Sequence, residues 1–179
     1  MISQSSFTEK TVNQFGVTAG RNTPLSPDIF LEEFDDNEPD GVWPFHELVG
    51  SLMWLANQTR PDISNAGRAA ARIAHALKLQ QWKPERGILE YLKVTTNFGV
   101  TFQKGSDLEL VVYADAGYTS KYTKRKSVSG AAVMCGCVAI QYVSKTQTYT
   151  TLSLSEDEYV AIAEGFKAAI SLWSGFSIA

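Results

Sequence analysis

In the first two thirds of the chain, apolar positions recur at intervals of three and four residues. Within FHELVGSLMWLAN, residues 45–57, the positions Phe45, Leu48, Val49, Leu52, Met53 and Ala56 share one helical face. A helix ending near Asn57 is predicted. Pro61 then biases Arg60 away from helical geometry and suits the first turn of a second helix, with Ile63, Ala66, Ala70, Ile73 and Leu77 inward. A third helix is predicted around residues 84–94, where Ile88, Leu89 and Leu92 face the core and Lys83, Glu85, Arg86 and Glu90 face solvent. Val100 and Phe102 read as a short edge strand before the turn KGSD.

After residue 107 the period changes to two. Leu108, Leu110, Val112 and Ala114 alternate with Glu109, Val111, Tyr113 and Asp115, so Asp115 shares a strand face with Val111 and Tyr113. Two further strands, SGAAVMCG and CVAIQYVSK, complete a three-stranded antiparallel meander with Cys135 and Cys137 near a turn, where they read as small buried hydrophobes. A helix follows from about Glu156, with Tyr159, Ile162, Ala163, Phe166, Ile170 and Trp173 as its core-facing stripe. The expected fold class is therefore α+β, helices first and a meander plus helix last.

Composition adds bounds. At 179 residues and 44% hydrophobic content the chain can form one domain or two small ones. No run approaches the roughly 20 apolar residues of a membrane span, and MISQSSFTEK lacks the form of a signal peptide. An intracellular, cytoplasmic protein with no membrane partner is expected. Two cysteines and two distant histidines, His46 and His75, support neither a zinc site nor a disulfide framework. The net charge of -3 divides unevenly: residues 1–45 hold eight acids and two bases, the remainder eleven acids and fourteen bases. Six of those acids lie in LEEFDDNEPDG, residues 31–41, which reads as a solvated linker. In SKYTKRKS the cations Lys121, Lys124, Arg125 and Lys126 cluster around Tyr122, as a solvated hairpin loop or as phosphate contacts.

Two acids carry the candidate chemistry. Asp115 ends a strand and is either a turn-initiating aspartate or a ligand. Glu158 completes a capping box with Ser155, or lies with Ile162, Phe166 and Ala169 on the buried side of its helix. Brought together, two desolvated carboxylates repel unless a cation joins them, and Mg2+ suits oxygen ligands with open water positions. A pair of such ions can drive phosphodiester cleavage.

These residues sit inside longer motifs. FTEKTVNQFGV, NTPLSP, ELVGSLMWLANQ and TRPDIS, then Trp82, Arg86, Leu89, Tyr91, Leu92 and Lys93, then Tyr113 to Ala116, RKSVSG, SKTQ and SLSEDEY, follow one known order. The chain resembles the end of the reverse transcriptase and the start of the ribonuclease H in Pol polyproteins of copia-type LTR retrotransposons. The resemblance implies a helical reverse-transcriptase connection segment followed by a truncated ribonuclease H-like fold. The implied division is an N-terminal segment and acidic linker over 1–44, the helical segment over 45–104 and the ribonuclease H-like part over 105–179. It further implies an RNA–DNA hybrid as partner, the remainder of a Pol polyprotein as another, and hydrolysis of the RNA strand through four carboxylates and Mg2+. The first two carboxylates map onto Asp115 and Glu158.

No acid follows Glu164, so the third and fourth have no counterpart, and the Y-x-D-D polymerase strand is absent. The alanine between the two glutamates of the motif is Asp157 here. Weak metal binding and impaired cleavage are expected. Three outcomes remain open: a nuclease completed by a compensating acid such as Asp157, a non-catalytic nucleic-acid-binding remnant, or an inert transposon remnant.

Overall fold

The computed structural model describes residues 1–25, 44–73, 82–105, 109–117 and 126–176. The acidic stretch 31–41 and Leu77 lie outside them. The chain divides into two compact units, Met1–Val100 and Thr101–Ala179. Among the described residues the architecture is α+β, with five α-helices, a two-stranded antiparallel ribbon and a three-stranded antiparallel sheet.

The first unit contains β1 (Ile2–Ser3), α1 (Ser5–Gln14), α2 (Phe45–Gln58), a 3-10 turn at Pro61–Ile63, α3 (Ser64–Ile73), α4 (Trp82–Val94) and β2 (Gly99–Val100). Its core follows the helical spacing of the sequence. Leu48, Leu52 and Leu55 from α2 meet Ile63 and, from α4, Ile88, Leu89 and Leu92, all fully buried. Each such side chain contributes about 1.5–3 kcal/mol relative to exposure. Pro61 sets a tight 3-10 turn before α3 rather than the first α-helical turn itself. The short strand near residue 100 pairs with the N-terminus, Ile2 opposite Val100, while Phe102 lies beyond it and is exposed.

Arg60 explains why TRPD is followed by Y-L-K and a threonine. Its guanidinium is 1% exposed, so every N–H it offers needs a partner. Nε and Nη2 donate to the Asp62 carboxylate at 2.9 and 2.7 Å, and Nη1 and Nη2 donate to the Thr95 carbonyl and hydroxyl at 3.0 and 2.7 Å. Tyr91 adds a hydroxyl hydrogen bond to Asp62 at 2.8 Å. The rings of Tyr91 and Phe98 lie 5.4 and 5.5 Å from the guanidinium carbon, within cation–π range. The chain after α2 is thereby tied to the end of α4.

One polar position departs from the sequence expectation. Glu85, expected in solvent, is fully buried in the first turn of α4, and neither carboxylate oxygen has a hydrogen-bond partner among the described residues. Burial pushes its carboxyl up to about 8.

The second unit contains β3 (Leu110–Gly117), β4 (Val128–Cys135), β5 (Val138–Thr146) and α5 (Leu154–Phe176). The sheet order is β3-β4-β5, with Leu110 opposite Cys135, Asp115 opposite Gly130 and Cys135 opposite Val138. A two-residue turn joins β4 to β5, and Gly136 supplies its positive φ of 60°. That turn carries the cysteines outward. Cys135 is half-buried and Cys137 exposed, not the buried hydrophobes that their type suggests.

Helix α5 crosses the sheet on an unexpected side. Ala161, Gly165 and Ala168 are buried, whereas Tyr159, Ile162, Phe166, Ile170 and Trp173, expected as the core stripe, are exposed. The reason is steric. An ideal Cβ on Gly165 would sit 2.9 Å from Val112 and about 3.5 Å from Ala114 and Ala131, so only a small-residue face can approach this sheet so closely.

Candidate functional site

Contacts at Gly165 fix which way β3 faces. Val112 and Ala114 point at α5, so the alternate positions, Val111, Tyr113 and Asp115, lie on the other face of the sheet. Asp115 and Tyr113 are both exposed there. Glu158 sits near the start of α5 and is also exposed. The buried ridge of the helix runs through Asp157, Ala161 and Gly165, one position before the ridge expected to carry Glu158 inward.

The helix cap is likewise displaced by two residues from the expected Ser155 and Glu158. Ser153 Oγ accepts from the Glu156 backbone N–H at 3.2 Å, and Glu156 reaches back to the Leu152 N–H at 2.8 Å. SLSEDE contains two overlapping S-x-x-E patterns, and the helix start at Leu154 selects the earlier one. Glu158 thus takes no part in the cap.

Asp157 is the acid that the sequence offers as a compensating ligand. It is buried, and its carboxylate accepts from Ser127 Oγ at 2.8 Å and from Thr151 Oγ1 at 2.5 Å. Gln147 Nε2 donates to the Asp157 backbone carbonyl at 3.0 Å and to Ser129 Oγ at 3.1 Å. This network ties the start of α5 to the ends of β4 and β5. Both carboxylate oxygens are engaged by hydroxyls, so Asp157 is a structural fastener and not a spare ligand. The signal was present in the sequence: an acid stands where the resembled motif has alanine, on the face turned to the sheet.

Lys126 lies two residues before β4 and is half-buried; Lys121, Lys124 and Arg125 lie outside the described residues. Two other cations, Lys145 on β5 and Lys167 on α5, converge on Glu164 at 3.1 and 2.9 Å. Hydrogen bonds from Lys167 and then Lys145 hold the Glu164 carboxyl below the usual range. They border a cavity of about 380 Å³ lined also by Gln147, Tyr149 and Thr151.

The donors present do not fit a pair of Mg2+ ions. Asp115 lies on the sheet face turned away from α5, the helix that carries Glu158, so the expected convergence of these two carboxylates is not seen, and among the described residues no group of three or more aspartate, glutamate, histidine or cysteine side chains could hold a metal. No helix among the described residues is long and apolar enough to cross a membrane.

No protein-family model and no solved structure matches the chain. Curated relatives do. The chain is 31% identical to the secreted RxLR effector protein 161 of Plasmopara viticola, over 72% of this chain and 91% of that protein. It is 31% identical to the retrovirus-related Pol polyprotein from transposon TNT 1-94 of Nicotiana tabacum, over 96% of this chain and 13% of the polyprotein. With the Pol polyprotein from transposon RE1 of Arabidopsis thaliana it shares 32% identity, over 79% of this chain and 10% of the polyprotein. The chain thus spans a small part of the length of these polyproteins. The chain is thus similar to a part of the retrovirus-related Pol polyproteins of transposons, and to nearly the whole of that effector protein.

Proposed function

We propose that the chain spans the reverse transcriptase–ribonuclease H junction of a retrotransposon Pol polyprotein, and that its second unit derives from a module that hydrolyses the RNA strand of RNA–DNA hybrids. One observation carries the reading. An antiparallel meander bears an acid near the end of its first strand, Asp115, and is crossed by a helix with a second acid, Glu158, near its start. Those are the two positions to which the resembled motifs assign catalytic carboxylates.

On their own, Asp115 and Glu158 neutralise too little of the charge at a scissile phosphate for efficient hydrolysis. Asp157 does not compensate, being held by Ser127 and Thr151. We further propose that the cation cluster to which Lys126 belongs in the sequence contacts the phosphates of the hybrid. Incubation of the protein with an RNA–DNA hybrid and Mg2+ tests this directly. No cleavage above background is expected; magnesium-dependent cleavage abolished by Asp115→Asn would refute the impairment, and failure to bind the hybrid would refute the phosphate contacts.

A further inference from the structure

Helix α5 carries its bulk on the side away from its own sheet. Tyr159 is 72% exposed, Ile162 41%, Phe166 57%, Ile170 65% and Trp173 67%. These five share one helical face, and their side chains present on the order of 600 Å² of apolar surface, at the upper limit of the patches that monomeric proteins leave open. The intervals between them are three, four, four and three residues, a pattern that reads the same from either end about Phe166. Within 159–173 the only charged side chains are Glu164 and Lys167, which pair with each other at 2.9 Å. The face therefore bears no net charge to oppose a like surface.

We propose that this face is an interface between two copies of the chain, with the α5 helices packed antiparallel across a two-fold axis at Phe166. The symmetry of the spacing then sets Phe166 against Phe166, Ile162 of each copy against Ile170 of the other, and Tyr159 against Trp173. Such an isologous contact is self-complementary by construction. Together the two copies cover about 1,200 Å², above the roughly 1,000 Å² that separates specific interfaces from casual ones. Charge selects the antiparallel arrangement. Parallel helices would bring the exposed Glu156 and Glu158 of both copies together at one end, whereas antiparallel packing keeps them a helix length apart and opposes the helix dipoles.

The test uses the full chain. Sedimentation across a micromolar concentration series should show a reversible dimer, lost in both Phe166→Glu and Ile170→Glu without loss of circular dichroism. In a Cys135→Ser, Cys137→Ser background, Phe166→Cys should oxidise to a disulfide-linked dimer. Tyr159→Cys should cross-link to a Trp173→Cys chain but not to itself. A monomer at all concentrations, a dimer that survives Phe166→Glu, or self-linkage of Tyr159→Cys would each overturn the proposal.

Discussion

Glu85 and Asp62 are carboxylates driven in opposite directions by their surroundings. Glu85 has lost water and gained no partner among the described residues, so its folded-state pKa of about 8 stands above the ordinary 4.5. Between those values the unfolded chain has released a proton that the folded unit retains. The stability associated with this group is therefore full below about pH 4.5 and falls as pH rises through about 8. Thermal melts across that window should show a loss on the order of 4 kcal/mol for the parent chain and a much flatter profile for Glu85→Gln. Asp62 is also desolvated, which raises its pKa, but hydrogen bonds from Arg60 and Tyr91 and the Arg60 charge outweigh this and hold it below the usual range. Its contribution is present above the ordinary carboxylate pKa and disappears as pH falls below it. Asp62→Asn, which leaves the buried Arg60 charge unbalanced, should cost about 3 kcal/mol at neutral pH in urea unfolding, the lower end for a broken buried pair because Asp62 keeps a third of its exposure.

Elements were more legible in the sequence than their orientations. Leucine spacing located α2 and α4, where the buried face is also the bulky one, and alternation located β3, although its helix-facing side is Val112 and Ala114 while Tyr113 is exposed. In α5 the periodicity revealed a seam but not which way it turned, since burial here is decided by how closely Val112, Ala114 and Ala131 let a helix approach. A substitution that fills the small seam checks this. Gly165→Leu should destabilise the second unit by about 1–3 kcal/mol through overpacking, read as a lower unfolding midpoint. The cap was ambiguous for a different reason: SLSEDE offers two registers, and only the local path of the chain before Leu154 distinguishes them. Asp157 was visible as an anomaly, but its partner Ser127 lies 30 residues away, so that pairing could not be read from spacing.

For the molecule as a whole, motif order carried the family resemblance, since the motifs run along nearly the whole chain while each is short. The uneven charge, an acidic first quarter and a mildly basic remainder, was equally readable and bears on association with nucleic acid. If the proposed phosphate contacts to the hybrid form, affinity should fall with salt in filter-binding or anisotropy titrations, and Lys126→Ala should reduce the logarithmic salt slope by about 1. The β4–β5 turn has a practical corollary. Because Gly136 lifts Cys137 clear of the sheet, a maleimide dye should attach there first and report the rotational diffusion of the second unit, with no engineered handle and no disturbance of the hydroxyl network around Asp157.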